Sequence, residues 1–410
     1  MRRLQGAVRT YAWGSRTALA QLCGRPSPSA HPEAELWFGA HPADPAMVLD
    51  DDGAARSLLT VIHDDPETEL GPGKPPRLPF LVKLLAADEP LSLQAHPSRQ
   101  QAREGFAREN LARLPIDSPI RNYRDDNPKP ELIVALEPFD ALTGFRDPHR
   151  TVELLRALDV PALDSYVDMI AGQPDASGLR ALFTTWITLP QPAVSALLEH
   201  VLAGCMRYVS GTDRRFVAEV RTALELGETY PEDAGVLASL LLNRVRLQPG
   251  EALYLDAGNL HAYLHGLGVE VMANSDNVLR GGLTPKHVDV PELLRVLDFR
   301  PADMPVLLPE RIGDGEATRY RTPAREFAVS RVELGEADSA GLPVAGPSIV
   351  LCTSGAASVS CSHADGGAVS LTLEPGAAAW FSAGDRDART KATAAGTVLF
   401  CVSEPAELER

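Results

Sequence analysis

The sequence predicts a mainly β fold with α: a jelly roll of the double-stranded β-helix (cupin) type, carrying a helical insertion domain and followed by a second, C-terminal jelly roll. Three observations support that expectation. Short apolar runs between Pro and Gly clusters dominate up to about residue 149 and return after about residue 243. The stretch between them is rich in Leu and Ala at helical spacing. Residues 247–258 (LQPGEALYLDAG) also line up with residues 373–384 (LEPGAAAWFSAG), identical at six of twelve positions. A strand, a Pro-Gly turn and a second strand ending at Gly read as one hairpin used twice, once in each jelly roll.

Each part follows from its pattern. In residues 1–149, the first part of the main jelly roll, residues 78–85 and 91–97 read as strands, with turn chemistry between them at Ala86-Ala87-Asp88-Glu89-Pro90. Residues 98–113, rich in Arg, Glu, Gln and Ala, read as a surface helix. In residues 150–243, Val194, Leu197, Leu198 and Val201 fall on one helical face, and Val217, Val220 and Leu224 repeat the spacing. Breaks at 173–175 and 230–233 divide that insertion into several helices. Residues 244–318 resume the first jelly roll, and residues 319–410 form the second.

Composition narrows the function. The 410 residues carry 39 Lys and Arg against 55 Asp and Glu, a net charge of −16. That surface disfavours a nucleic-acid backbone or an anionic membrane as partner. No apolar run approaches the ~18 residues that span a bilayer, and no apolar segment follows the N-terminal charges Arg2 and Arg3, so no secretory signal is expected. The five cysteines are scattered without a C-x-x-C pair, which favours buried thiols in a reducing cytoplasm. A metal in this chain would therefore be held by nitrogen and oxygen.

Three segments concentrate chemistry. Alternation along a strand puts Ser92, Gln94 and His96 on one face and Leu91, Leu93 and Ala95 on the other. The charged loop Tyr123-Arg124-Asp125-Asp126-Asn127-Pro128-Lys129-Pro130-Glu131 runs into an apolar strand at 132–136, with Glu131 at its entrance. In residues 261–282, His261, Tyr263 and His265 share a face if extended, Glu270 follows across a Gly-containing turn, and Asp276 and Arg280 lie in a stretch dense in Asn, Asp and Gly. Together Gln94, His96, Glu131 and His261 offer a mixed nitrogen and oxygen set suited to Zn²⁺ or another divalent first-row ion.

These segments, together with Tyr11-Ala12-Trp13-Gly14-Ser15, Ala34-Glu35-Leu36-Trp37-Phe38-Gly39-Ala40-His41-Pro42 and Thr284-Pro285-Lys286, resemble those of the type I phosphomannose isomerases over nearly the whole chain. The resemblance implies that the family's metal ligands fall on Gln94, His96, Glu131 and His261, with one Zn²⁺ per chain. It places the active-site arginine at Arg280, with Lys129, Glu270 and Asp276 as further catalytic groups. Trp13, Lys83, Ser92, Tyr263 and Lys286 are expected at the substrate. The implied reaction interconverts D-mannose 6-phosphate and D-fructose 6-phosphate through a cis-enediolate, in a cytoplasmic monomer whose only expected partner is the phosphosugar. Two positions depart from the family's motifs: Pro128 replaces the His of Asn-His-Lys-Pro-Glu, and Gly281 replaces the Ala of Arg-Ala-Gly. A sugar-phosphate binder that lost its chemistry with that His, or a cupin-type iron oxygenase, are the rival readings. Lys83, Lys129, Arg280 and Lys286 would make a cationic pocket in an otherwise acidic protein. The second jelly roll, with Asp387 at the position matching His261 and no Gln-x-His pair, is expected to be structural and metal-free.

Overall fold

The computed structural model describes residues 1–49, 53–303, 305–313, 316–344, 346–363 and 367–405. The last five residues assigned to the C-terminal jelly roll lie outside these. The fold is β-rich and antiparallel, with a helical middle region.

The 13-residue strand His261–Ala273 organises the metal-bearing half. Its first residues lie between the strand Leu93–Ala95, where His261 faces Gln94, and the strand Phe139–Phe145. Its second half lies between Phe80–Ala87 and Glu131–Ala135, pairing Glu270 with Lys83 and Met272 with Glu131. The strand Leu279–Gly282 completes the wall by placing Arg280 opposite Gln94. Directly opposed residues share a face, so neighbouring strands deliver the polar side chains to one side of the sheet.

The predicted strands and helices form close to their expected places. Phe80–Ala87 is buried throughout, as a strand covered on both faces must be. The surface helix spans Arg99–Leu111, started by a capping box in which Ser98 and Gln101 exchange hydrogen bonds. In the helix Gln191–Ser210 the predicted face Val194, Leu197, Leu198 and Val201 is buried. In Val217–Thr229 the buried face is Val220, Thr222, Ala223 and Leu226, with Val217 and Leu224 packed at its margin. Leu93 and Ala95 join that helical core. The strand carrying Gln94 is thus fixed from behind by the insertion.

Two expectations are corrected. The repeated Pro-Gly segment is no hairpin: the strands Leu242–Leu247 and Ala252–Leu255 pair with Phe139–Phe145 and Glu131–Ala135, not with each other. In the C-terminal copy, Ala368–Leu373 belongs to a four-stranded sheet and Ala378–Phe381 to a nine-stranded one. The turn, with Gly250 at φ 87° and Gly376 at φ 82°, carries the chain from one partner to another. Second, Glu270 follows no turn. His261 to Ala273 is one strand with a register shift between Tyr263 and His265, followed by Gly266 with φ 131°. The irregularity leaves His265 exposed while His261 and Tyr263 stay buried.

The nine-stranded sheet also takes up Arg2–Gln5, Met47–Leu49 and Ala55–Ser57, with Arg2 opposite Trp380. The chain's first strand is therefore hydrogen-bonded into the sheet of the C-terminal part.

Candidate metal centre and substrate cavity

The Glu131 carboxylate lies between two buried imidazoles. His96 Nε2 is 3.3 Å from Oε1 and His261 Nε2 is 3.3 Å from Oε2. Each imidazole's other nitrogen meets a backbone carbonyl: His96 Nδ1 donates to Asn277 O at 2.8 Å and His261 Nδ1 to Asn259 O at 3.1 Å. With the proton held at Nδ1, both Nε2 lone pairs face the carboxylate. His96 Nε2, His261 Nε2 and Glu131 Oε2 are buried without a hydrogen-bond donor. Three buried acceptors converging with no donor fit a divalent cation. Burial, reinforced by the Lys129 cation, lowers the His96 pKa to about 4 and keeps the ring neutral. Burial opposes ionisation of Glu131, but Lys129 and the two imidazoles overcome it and hold the carboxyl well below its ordinary range.

This group lies beside a cavity of about 930 Å³. Gln94, Glu131, Trp13, Lys83, Ser92, Lys129, Tyr263, Glu270, Asp276, Arg280 and Lys286 all line it, so every expected site residue other than the two imidazoles reaches its wall. Trp13 stacks on Tyr11 with ring centres 5.6 Å apart, and its carbonyl accepts from the Asp88 and Glu89 amides of the predicted turn. The Tyr263 hydroxyl is buried near Glu270 without a well-formed hydrogen bond among the described residues; burial, with Glu270 and Glu131 nearby, keeps it protonated. Pro128 does not line the cavity among the described residues.

The cations are not all available to an anion. Lys83 Nζ bonds Glu270 at 2.7 Å and approaches Glu35 at 3.3 Å; Lys129 Nζ approaches Glu131 at 3.1 Å. Arg124, Arg280 and Lys286 line the same cavity with no carboxylate at ion-pair distance among the described residues. Burial and the neighbouring Arg124 lower the Arg280 pKa; burial, Arg280 and Arg124 lower that of Lys286. The cationic patch is therefore Arg124, Arg280 and Lys286, with Lys83 and Lys129 neutralised locally.

Several contributors escaped the sequence reading. Glu35 and Trp37, within the segment at residues 34–42, build the Lys83 cluster: Trp37 Nε1 donates to Glu35 at 2.9 Å and Lys83 Nζ sits 5.3 Å from the Trp37 ring centre. His41 Nε2 is 3.3 Å from Asp276 Oδ1; burial raises the Asp276 pKa, but His41, Lys129 and Arg124 bring it below its ordinary value. Asn277, fully buried, accepts the Arg124 amide at 2.7 Å and donates to Asp125 O and Asn127 O at 2.9 Å each. It joins the 123–131 loop to His96. The density of Asn and Asp around it was the available signal.

The C-terminal part contains a second group of potential ligands, Cys361, His363 and Asp385. Its carboxylate already accepts from the Met1 ammonium at 2.8 Å and the Ser382 amide at 2.8 Å, with His363 Nδ1 at 2.7 Å. Hydrogen bonding accounts for this cluster.

A jelly roll with a two-imidazole, one-carboxylate centre opening into a cavity with unpaired cations defines a metal-dependent enzyme acting on a small anionic substrate. Comparison with known proteins narrows the class. Residues 1–148 match the family described as phosphomannose isomerase type I, catalytic domain, and residues 320–364 match its C-terminal counterpart. Mannose-6-phosphate isomerase of Escherichia coli K12 is 39% identical over 396 residues, covering 95% of this chain and 97% of the relative. Mannose-6-phosphate isomerase 1 of Arabidopsis thaliana is 33% identical, covering 87% and 84%. A crystal structure of a phosphomannose isomerase variant from Salmonella typhimurium superposes with a TM-score of 0.87 at 35% identity, over 99% of this chain and all of that one. A holo, zinc-bound mannose 6-phosphate isomerase superposes with a TM-score of 0.85 at 35% identity, over 99% of each chain. The chain belongs to the type I phosphomannose isomerases. No single described helix is long and apolar enough to cross a membrane.

Proposed function

We infer that the protein interconverts D-mannose 6-phosphate and D-fructose 6-phosphate with a metal ion, Zn²⁺, held by Gln94, His96, Glu131 and His261. The observation that carries this reading is the trio of donorless buried acceptors beside a cavity containing three unpaired cations. Zn²⁺ bound there supplies a Lewis acid that polarises the substrate's oxygens.

The chain's own groups do the rest. Arg124, Arg280 and Lys286 receive the phosphate and orient the sugar, and Arg280, opposite Gln94, also faces the charge that develops on the cis-enediolate. The Tyr263 hydroxyl, buried without a well-formed hydrogen bond among the described residues, donates to a sugar oxygen. Trp13 and Ser92 bound the sugar, and Lys129 holds the Glu131 carboxylate ionised. Glu270 moves the proton between C2 and C1. Burial, with Glu131 and Glu35 nearby, raises its pKa despite Lys83, which makes it a stronger base than Asp276, held low by His41. None of these steps requires the imidazole that Pro128 displaces.

We further propose the four-part division at residues 149, 243 and 318, a monomeric state and a cytoplasmic location. The free cysteines, four of them buried, agree with the last. A coupled isomerase assay after chelation, with re-addition of Zn²⁺, Fe²⁺, Co²⁺ or Mn²⁺, tests the reading. Turnover lost on chelation and restored by Zn²⁺ is expected. Phosphosugar binding without turnover under any metal would refute the isomerase assignment. Retained C2-hydrogen exchange in Glu270→Gln, with loss in Asp276→Asn, would move the base to Asp276.

A further inference from the structure

The segment that carries Arg280 and Lys286 is gripped from outside the jelly roll. Between the helices Val217–Thr229 and Gly235–Ser239 of the insertion, the turn around Asp233 meets the end of the strand Leu279–Gly282. One Asp233 oxygen accepts the Gly235 amide at 2.7 Å and the other accepts the Thr284 amide at 3.1 Å. The two backbones approach closely because both contact residues are glycines. A Cβ on Gly282, where φ is 121°, would stand 2.7 Å from Gly235 Cα, and a Cβ on Gly235 would stand 2.7 Å from Leu283 N. Tyr230, in the same turn, donates its hydroxyl to Pro90 O at 2.6 Å, just before Ser92 and the strand that carries Gln94.

Leu283 is buried in the helical core at this joint, but the next two residues are less supported. Thr284 and Pro285 line the substrate cavity on one side and a second cavity of about 640 Å³ on the other. Packing therefore anchors Leu283 but not the stretch beyond it, where the Asp233–Thr284 hydrogen bond, continued by the Lys286 amide donating to Thr284 Oγ1 at 3.2 Å, sets the course to Lys286. Arg280 itself is held by strand pairing with Gln94. Losing the tether should displace Lys286 more than Arg280.

We propose that Asp233 is a positioning residue that sets where Lys286 meets the substrate's phosphate, which gives the helical insertion a part in substrate binding. The proposal rests on the isomerase reading for its substrate. Phosphate binding alone can still test it. Asn at position 233 has a single acceptor oxygen, so Asp233→Asn keeps one of the two amide bonds and turns an N–H against the other. In zinc-loaded full-length protein, KM for mannose 6-phosphate and the inhibition constant of inorganic phosphate should both rise ~10-fold in D233N, with kcat within ~2-fold. In a Lys286→Ala background the same substitution should add less than ~2-fold, because the group it positions is gone. An active D233N with unchanged KM and phosphate constant overturns the proposal, as does a full ~10-fold addition in the Lys286→Ala background. If D233N does not fold, Asp233→Ser, whose hydroxyl can still accept the Gly235 amide, takes its place under the same criteria. Calorimetric titration of wild type and variant with inorganic phosphate separates the two readings. A wild type without turnover but with weaker phosphate binding in D233N sinks the isomerase reading and supports this one.

Discussion

Lys83 is the single cation between Glu270 and Glu35 in a cluster where all three residues are at most 6% exposed. Lys83→Met keeps the length and apolar stem but leaves two buried carboxylates facing each other, with Glu131 close enough to add to the repulsion. Breaking a buried pair from one side costs about 3–5 kcal/mol, because the remaining charge has lost its solvent and its partner. The cost should depend on pH, in a definite direction. Glu270 already has a raised pKa, chiefly from burial, and loses its main opposing influence when Lys83 goes. A carboxyl whose folded pKa exceeds its unfolded value binds more protons when folded, so stability falls as pH rises through that interval. The deficit of the variant should therefore be largest near pH 8 and shrink as pH is lowered toward the ordinary carboxylate range. Adding Glu270→Gln to Lys83→Met should recover about 2 kcal/mol, since it removes one of the stranded charges. Urea unfolding followed by tryptophan fluorescence at pH 8 and pH 5.5 measures all of this. A deficit below about 1 kcal/mol at pH 8, or one that does not shrink on acidification, would refute the view that Lys83 neutralises the floor of the cavity.

Arg280→Ala should lower kcat by about 10²-fold while zinc content stays near that of wild type; near-normal turnover would remove Arg280 from the reaction. His261→Ala should lose bound zinc and activity together, as atomic absorption and the coupled assay would register, and full zinc occupancy would exclude it as a ligand. With the metal removed, His96 remains neutral in the folded chain down to about pH 4. Its pKa is below the unfolded value, so the apo protein should lose roughly 3 kcal/mol as pH falls from about 6.5 to 4, read from unfolding curves across that range. Leu93, next to Gln94 in the same strand, is fully buried against the helical core. Leu93→Ala should cost about 2–5 kcal/mol and weaken zinc binding, whereas unchanged metal affinity would show that the helical core does not position that strand.

Much of the site could be read from the sequence because strands expose their logic locally. Alternation placed Gln94 and His96 on one face with Leu93 and Ala95 on the other, and the fold buries Leu93 and Ala95 behind, with Gln94 on the cavity wall and His96 beside Glu131. The same rule failed at His265, where a bulge in the strand reversed the expected side. Nothing in a list of residue types signals such an insertion, because it depends on what the neighbouring strand presents. The Pro-Gly repeat marked a turn between two strands in each copy but suggested the wrong pairing, since a local pattern specifies a turn and not the partner across it.

Charge shows the divide most clearly. By itself the sequence determined a β-rich jelly roll split by helices, the candidate positions for a metal site and the presence of cations in an acidic protein, because periodicity, turn residues and motif spacing are properties of neighbours along the chain. Only the tertiary structure decided which cations are free. Lys83 and Lys129 are neutralised by Glu270, Glu35 and Glu131, while Arg124, Arg280 and Lys286 meet no carboxylate at ion-pair distance among the described residues at the cavity. Pairing is set by distances of a few ångströms between residues as far apart as 35 and 270, and Coulomb energy in a buried site depends on those distances and on the exclusion of water. Neither is written in a net charge of −16.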